Sequence, residues 1–191
     1  MGQSSKSNIV LTGMSGAGKS TIGVLIAKSL GKDFVDTDLL IQKREGRLLQ
    51  EIIDQDGIGR FLEIEEDVLV HTPETYRNAV IATGGSAVYS EKAMRALAED
   101  GVIVYLDVPC EEILRRLTNI TTRGIVLRHG NTFEDAYNER LPLYRRYSDL
   151  TIDCSKEDIE QSVGEVLAGL RGMGFGEEER GVCGAEVRSP E

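Results

Sequence analysis

The residues from Gly13 to Ser20 have the types and spacing of a phosphate-binding loop. A glycine, four intervening residues and then Gly-Lys-Ser form the P-loop pattern, which stands between a strand and a helix. Its glycines let consecutive backbone N–H groups point into one concavity that holds phosphate oxygens. In this pattern Lys19 reaches the outer phosphates, and the Ser20 hydroxyl ligates Mg²⁺. We therefore predict a nucleotide-phosphate site made of Gly13, Gly16, Ala17, Gly18, Lys19, Ser20 and Thr21.

Acidic residues follow two of the apolar runs that surround this loop. Asp36 and Asp38 flank one threonine, and Asp107 follows the run from Val102 to Leu106. Phosphoryl transfer needs an acid near the metal and an acid that orients the accepting hydroxyl. A helix N-cap is the structural alternative, because aspartate is favoured there. Two acids in so short a stretch exceed what a cap needs, so we predict a functional role for Asp36 and Asp38 and a structural one for Asp107.

Two predicted helices carry a charged residue on an apolar face. Glu65 falls on the apolar stripe of a helix that begins near Gly57, and Arg140 falls on that of the helix from Phe133 to Tyr147. Charged groups are seldom buried unless they are paired or bind something. Each could pair with another core charge. Arg140, however, also lies in a stretch, 115–146, that holds seven arginines and three acids, which favours the binding of a small anion.

The segment 118–132 has no hydrophobic periodicity and many polar residues, which is typical of a mobile loop. Arg123 lies inside it, where an arginine could close over phosphates; a solvated loop arginine is the alternative. The adjacent pairs Arg115–Arg116 and Arg145–Arg146 are interpreted as part of a solvated face. We predict a lid at about 118–132 that carries Arg123 to the nucleotide as a catalytic and nucleotide-binding residue.

Apolar runs that alternate with helical patterns must position these residues. Such alternation predicts an α/β fold with a mainly parallel sheet. Ligands of these sheets bind beyond the carboxyl ends of the strands. The P-loop, the Asp36–Asp38 stretch and the Gly84–Gly85 turn each follow a predicted strand, so we expect them to converge on one cleft. The predicted strands lie at 8–11, 33–36, 79–82, 102–106 and 150–153.

Composition indicates one soluble domain. The chain has 191 residues, of which 40% are hydrophobic and 28% charged. Its net charge of −10 argues against a nucleic-acid partner, and no apolar run reaches the roughly 20 residues of a membrane span. Three cysteines without metal-ligand spacing indicate free thiols and a cytoplasmic location. We predict a disordered leader at 1–7, one domain at 8–171 and a disordered tail at 172–191, and we expect a monomer.

Several motifs together resemble one known family. They are the P-loop with the Thr-Ile-Gly that follows it, Asp36-Thr37-Asp38, Thr83-Gly84-Gly85, Val104-Tyr105-Leu106 and Arg140-Leu141-Pro142-Leu143-Tyr144. From about Ile9 to Leu170 this order is similar to that of shikimate kinases. The resemblance implies a P-loop kinase fold, with a five-stranded parallel sheet flanked by helices and a mobile lid. It also implies phosphorylation of a shikimate hydroxyl, with ATP and Mg²⁺, in aromatic amino-acid synthesis.

The resemblance also implies roles for particular residues. Asp38 would hold the accepting hydroxyl, and Asp36 would contact Mg²⁺ through water. Gly84 and Gly85 would line the acceptor pocket. Arg123 would be the arginine of the lid, and Arg140 would bind the carboxylate of shikimate.

Three positions depart from the family pattern. Leu62 stands where the family has a second arginine for the acceptor carboxylate, and Arg60 points about 200° away from it on a helix. Ser86 replaces a third glycine, and Gly124 replaces a proline after the lid arginine. These changes leave the nucleotide half intact and concern the acceptor, so a kinase of another polyhydroxylated acid, such as gluconate, is the alternative enzyme.

A nucleotide-dependent switch or a degenerate binding module is the alternative outside enzymes. A GTPase-type switch needs Asn-Lys-x-Asp to specify guanine, and the sequence lacks it. A degenerate module is expected to have lost Lys19 or Asp38, and both are present. The sequence therefore favours a small-molecule kinase.

Overall fold

The computed structural model describes residues 6–116, 125–127, 130–156 and 158–175. The strands are β1 (Asn8–Thr12), β2 (Asp33–Asp36), β3 (Ala79–Ala82), β4 (Gly101–Asp107) and β5 (Leu150–Asp153). They form one parallel sheet in the order β2-β3-β1-β4-β5. The predicted α/β fold with a five-stranded parallel sheet flanked by helices is confirmed.

Helices alternate with these strands and cover the sheet. The helix predicted at Phe133–Tyr147 is confirmed, and the helix predicted to begin near Gly57 ends at Thr75. Gly57 (φ 84°) separates it from a preceding helical part that begins at Leu49. The helices are α1 (Lys19–Leu30), α2 (Thr37–Glu45), α3 (Leu49–Thr75), α4 (Glu91–Asp100), α5 (Cys110–Arg116), α6 (Phe133–Tyr147) and α7 (Ile159–Gly172), with a 3₁₀ turn at Ala87–Tyr89.

The central strands are buried on both faces. Every residue of β1 and β3 is buried, which explains why both appear in the sequence as continuous apolar runs. Asn8 is the polar exception at the start of β1, and its side chain is hydrogen-bonded to the Tyr76 carbonyl and to the Ala79 N–H, both at 2.9 Å. The middle strand β1 leads directly into the P-loop, so the phosphate site is anchored in the best-packed part of the sheet.

Both ends of the described chain contact the domain. Ser7, assigned from the sequence to the leader, donates a hydrogen bond to the Asp100 carboxylate at 2.7 Å, and Lys6 forms an ion pair with Asp149 at 3.2 Å. Phe175, assigned to the tail, packs against the core. The remainder of these two segments, 1–5 and 176–191, lies outside the described residues. Within the described ranges, no helix combines the length and apolarity that a bilayer span requires.

Candidate active site

The P-loop connects β1 to α1 with three glycines in the left-handed region. Gly13, Gly16 and Gly18 have φ values of 142°, 92° and 92°, which side chains rarely adopt. A methyl group on Gly13 would also approach the Leu106 carbonyl to 2.9 Å. Gly18 caps α1 without a side-chain hydrogen bond, and the first turn has no acidic residue. The first N–H groups of α1 are thus left for an anion.

Four other helices begin differently, because a side chain caps each of them. The caps are Asp36 on α2, Ser90 on α4, Thr132 on α6 and Asp158 on α7. A capping side chain satisfies N–H groups that α1 keeps available. This contrast supports the phosphate site predicted at Gly13–Thr21.

Lys19 is folded back onto the P-loop. Its Nζ donates hydrogen bonds to the carbonyls of Gly13 and Met14, at 2.7 and 2.8 Å. Burial lowers its pKa from 10.5 to about 8, although the carboxylates of Asp38 and Asp36 oppose the change. The ammonium group therefore lies inside the concavity where phosphate oxygens would bind.

The predicted metal-binding residues meet at the start of α1. The Ser20 hydroxyl donates to Asp36 Oδ2 at 2.7 Å, while Asp36 Oδ1 accepts from the Asp38 N–H at 3.0 Å. Asp36 is thus the N-cap of α2, the structural alternative, and also contacts Ser20, as the predicted metal-binding role requires. A hydroxyl and a carboxylate are hard oxygen donors that suit Mg²⁺, which takes its other ligands from phosphates and water.

Asp38 faces the same cleft from the first turn of α2. Burial raises its pKa from 3.8 to about 6, and the neighbouring Asp36 adds to the increase while Lys19 opposes it. A carboxyl group with such a pKa can accept a proton near neutral pH.

The turn after β3 lies between the P-loop and the charged side chains of Asp38, Glu65 and Arg140. A methyl group on Gly84 would lie 2.3 Å from Glu65 Oε1 and 2.9 Å from Asp38 Oδ1. A methyl group on Gly85 would lie 2.8 Å from Ser15 Oγ in the P-loop and 3.5 Å from Arg140 Nη1. Both positions therefore need glycine because functional side chains pack against the bare backbone.

Glu65, singled out by its place on an apolar stripe, is almost fully buried, with 2% of its surface exposed. Its Oε1 atom has no hydrogen-bond partner among the described residues. Burial raises its pKa from 4.5 to about 7, and a hydrogen bond with the Ser86 side chain opposes the increase. The carboxyl group thus lies beside the Gly84–Gly85 turn with one oxygen unsatisfied.

Arg140 is buried in the same region, with 1% of its surface exposed. Its Nε donates to the Tyr89 hydroxyl at 3.0 Å, and its Nη2 donates to the Val126 carbonyl. The remaining nitrogen, Nη1, has no partner in the described part of the chain. Two nitrogens of the guanidinium group are therefore held by hydrogen bonds, and the third lies beside the Gly85 backbone.

Leu62 lies one helical turn before Glu65 on α3. It is partly buried and packs against a small apolar cluster that contains Phe61, Ile64 and Val126. Arg60 is exposed and pairs with Glu63 at 2.8 Å, so it does not replace the missing arginine. Leu62 and Glu65 line one cleft of about 540 Å³ together with Ser86 and Tyr89.

A second cleft, of about 520 Å³, lies between the P-loop and Asp38. Asp38, Lys19, Ser20 and Gly85 line it, which confirms that the three predicted strand ends converge. A third, of about 370 Å³, continues past Gly16 and Gly18 to Ile159. These volumes are within the range of small-ligand sites.

Arg116 is a candidate site residue that the sequence patterns do not single out, since they place it on a solvated face. In the structure it lines both clefts beside the P-loop and donates to the carbonyls of Cys154 and Lys156. Its place in the arginine-rich stretch was the available signal. Asp107 has the predicted structural role, since it accepts hydrogen bonds from Tyr105 and Arg145. Arg123 lies outside the described residues, as do 118–124 and 128–129 of the predicted lid.

Comparisons with known proteins agree with this geometry. The shikimate kinase family model matches residues 15–171. A shikimate kinase from Thermodesulfovibrio yellowstonii is 40% identical over 162 residues, which cover 82% of this chain and 92% of that one. A shikimate kinase from Mycobacterium leprae is 36% identical over 164 residues, covering 85% and 81%.

Among solved structures, a shikimate kinase is more similar to this chain than a gluconokinase is. The shikimate kinase from Acinetobacter baumannii in complex with shikimate superposes with a TM-score of 0.81 at 28% identity, covering 90% of this chain and 96% of that one. A gluconokinase from Sinorhizobium meliloti reaches a TM-score of 0.50 at 19% identity, covering 93% and 98%, so it shares the fold alone. The chain belongs to the shikimate kinase family.

Proposed function

We propose that this protein transfers the terminal phosphoryl group of ATP to a hydroxyl group of shikimate, with Mg²⁺ as the cofactor. The observation that carries the proposal is the packing around the Gly84–Gly85 turn. The carboxyl groups of Asp38 and Glu65 lie against Gly84, and the P-loop and Arg140 lie against Gly85. An acid for a hydroxyl and an arginine for an anion thus flank a phosphate loop. The relative from Acinetobacter baumannii was solved with shikimate bound.

On the nucleotide side, the N–H groups of the P-loop and of the first turn of α1 hold the phosphates. Lys19 exchanges its two carbonyl partners for phosphate oxygens and neutralises the charge that develops during transfer. We place the nucleoside in the cleft that runs from Gly16 to Ile159, beside Arg116.

Ser20 and Asp36 would hold the metal, Ser20 directly and Asp36 through water. When bound, Mg²⁺ neutralises charge on the phosphates and fixes their orientation. The Ser20–Asp36 hydrogen bond of 2.7 Å holds these two oxygens next to each other at the start of α1.

On the acceptor side, Asp38 accepts a hydrogen bond from the reacting hydroxyl and takes its proton. A bond forms between the hydroxyl oxygen and the γ-phosphorus, the bond from that phosphorus to the β–γ bridging oxygen breaks, and ADP leaves. Nη1 of Arg140 binds the acceptor carboxylate. Catalysis consists chiefly of positioning and charge neutralisation, as is general for phosphoryl transfer.

The remaining assignments rest on the sequence. We propose that Arg123, in a lid at about 118–132, approaches the phosphates and assists transfer. The free thiols of Cys110 and Cys154 support a reducing compartment and hence the cytoplasm, where the protein acts as a monomer without a nucleic-acid or membrane partner.

A coupled assay of ADP release across shikimate, gluconate and related polyols tests the proposal. We expect shikimate to give the highest kcat/KM, and the release of ADP without an acceptor to be slower by at least about a hundredfold, as expected when catalysis depends on substrate positioning. The apolar side chain of Leu62 at the acceptor cleft is the feature that favours the alternative substrate. A higher kcat/KM for gluconate than for shikimate would contradict the proposal.

A further inference from the structure

Glu65 lies at the Gly84–Gly85 turn, and no described cation forms an ion pair with it. The nearest cations to Glu65 are engaged elsewhere: Lys19 donates to two P-loop carbonyls, and Arg140 donates to Tyr89 and Val126. One turn earlier on α3, Leu62 offers only apolar contacts. An ionised carboxylate in this position would be buried with an unsatisfied oxygen, which is strongly unfavourable.

A second acid lies close to Glu65. Asp38 Oδ1 and Glu65 Oε1 lie 2.9 and 2.3 Å from the same point, the place of a methyl group on Gly84, so their separation cannot exceed the sum of those distances. Two carboxylates at such a distance do not both ionise readily. Burial together with Asp38 raises the pKa of Glu65 to about 7 against the opposing effects of Ser86, Arg140 and Lys19.

Other elements around Glu65 do not supply a free cation among the described residues. Arg44 on α2 is paired with Asp67, and Lys92 on α4 is 3.8 Å from Glu66. The groups that face or influence Glu65 are Asp38 from α2, Lys19 from α1, Arg140 and Tyr144 from α6, and Ser86 and Tyr89 from the turn after β3.

The two unsatisfied buried atoms of the described chain are Glu65 Oε1 and Arg140 Nη1. They lie at neighbouring residues of one turn, Glu65 Oε1 beside Gly84 and Arg140 Nη1 beside Gly85. We propose that Glu65, as a neutral carboxylic acid, donates a hydrogen bond to the carboxylate of the acceptor beside the N–H of Arg140. This assignment rests on the proposed function. It makes Glu65 a specificity-determining residue, because its hydrogen bond replaces the contact that a second arginine would make with the acceptor carboxylate.

A neutral Glu65 makes acceptor binding depend on pH in a way that an ionised Glu65 would not. Above about pH 7 the free protein loses the Glu65 proton, and acceptor binding must restore it. Binding of shikimate should therefore take up a proton at alkaline pH. Its affinity should weaken by up to about tenfold per pH unit there, which is the limit for one linked proton.

Calorimetric titration of shikimate into the protein with Mg²⁺-ADP, in buffers of different ionisation enthalpy, measures this uptake. From about pH 6 to about pH 8.5, we expect uptake to rise from near zero toward one proton. Glu65→Gln keeps a hydrogen-bond donor and cannot titrate, so it should bind at every pH about as the wild type does at pH 6, without uptake. Lys19 and Asp38 titrate in both proteins, so the difference between the two isolates Glu65.

Leu62→Arg provides a second variant if Glu65→Gln fails to fold. A guanidinium one turn before Glu65 should hold its carboxyl group ionised and remove the proton uptake. Equal uptake in wild type and variants, or a wild-type affinity that does not change with pH, would overturn the proposal. So would a more than tenfold loss of affinity in Glu65→Gln at pH 6, because it would mean that an ionised Glu65 accepts from a hydroxyl.

The proposed function is tested separately by turnover. If shikimate is phosphorylated at about pH 6.5 but its binding takes up no proton above pH 7.5, the role of Glu65 is wrong and the kinase assignment stands. If shikimate is neither bound nor phosphorylated at any pH, the proposed acceptor itself is wrong.

Discussion

Asp36 shows how one side chain serves a helix and a site together. One carboxylate oxygen caps α2 through the Asp38 N–H, and the other accepts from Ser20. The cap fixes the carboxylate orientation, and its second oxygen accepts from the Ser20 hydroxyl. Asp38, two residues further along the chain, faces the cleft that contains the P-loop.

These separate positions predict separate effects of substitution. Asp38→Asn should lower kcat by at least about a hundredfold, because it removes a proton acceptor, and should leave Mg²⁺-ATP binding nearly unchanged. Asp36→Asn should chiefly weaken Mg²⁺-ATP binding, and the fold should survive because asparagine also caps helices well. Calorimetric binding of Mg²⁺-ATP and steady-state kinetics measure the two effects; the opposite pattern would mean that the roles are exchanged.

Glu65 should also make the stability of the protein depend on pH. Its pKa is higher in the folded state, at about 7, than its ordinary value of 4.5, so the folded state binds more protons between these values. The free energy of unfolding should therefore fall as pH rises through that window, by about 3 kcal/mol from this residue.

Glu65→Gln should remove this dependence. Relative to wild type, the variant should gain about 3 kcal/mol of unfolding free energy between pH 5 and pH 8. Urea denaturation at both pH values measures the gain, and Glu63→Gln, an exposed neighbour on α3, is the matched control without such a gain. If the two variants responded equally to pH, Glu65 would not be the buried acid described here.

Among the elements, the turn after β3 is where the two halves of the site touch. A methyl group on Gly84 would collide with Glu65 and Asp38, which are held by α3 and α2. Gly84→Ala should therefore raise the KM for the acceptor by at least about tenfold and change the KM for ATP by less than about threefold.

Gly59→Ala on α3 is the matched control for this substitution. A methyl group there would meet nothing within 4 Å, so alanine should stabilise the helix by about 0.5–1 kcal/mol without affecting the kinetics. Kinetics for both substrates and a thermal melt of each variant provide the comparison. A normal acceptor KM in Gly84→Ala would show that the acceptor does not bind at this turn.

At the scale of the whole molecule, the described part of 118–132 contacts both α3 and α6. Val126 packs against Phe61 and Ile64 of α3. Ile125 and Val126 are buried, and the Val126 carbonyl accepts from Arg140. Acceptor binding at Arg140 should therefore change how this stretch is held. We predict added amide protection in peptides that cover 118–132 when Mg²⁺-ADP and shikimate are both bound.

Hydrogen exchange followed by mass spectrometry measures this protection. Peptides from the last two turns of α7 (165–172), which line none of the three clefts, should show little change and serve as the internal control. Equal exchange in 118–132 with and without the two ligands would contradict a lid that responds to the substrates.

The amino-acid sequence by itself determined the order of strands and helices, the P-loop, the paired acids Asp36 and Asp38, and the two charges on apolar faces. These features follow from local rules: hydrophobic period, glycine positions and helix caps are set by residues close in the chain. They also placed the site, because strand ends of a parallel sheet meet at one edge.

Only the tertiary structure decided what each of those groups faces. Glu65, Arg140 and the Gly84–Gly85 turn come from elements far apart in sequence, and their contacts depend on how α3 and α6 pack over the end of β3. The same packing left Glu65 Oε1 without a hydrogen-bond partner among the described residues and brought Arg116 beside the P-loop. Periodicity identifies which face of a helix is buried, but the partner on the other side of that face is set by packing between elements, which no local pattern contains.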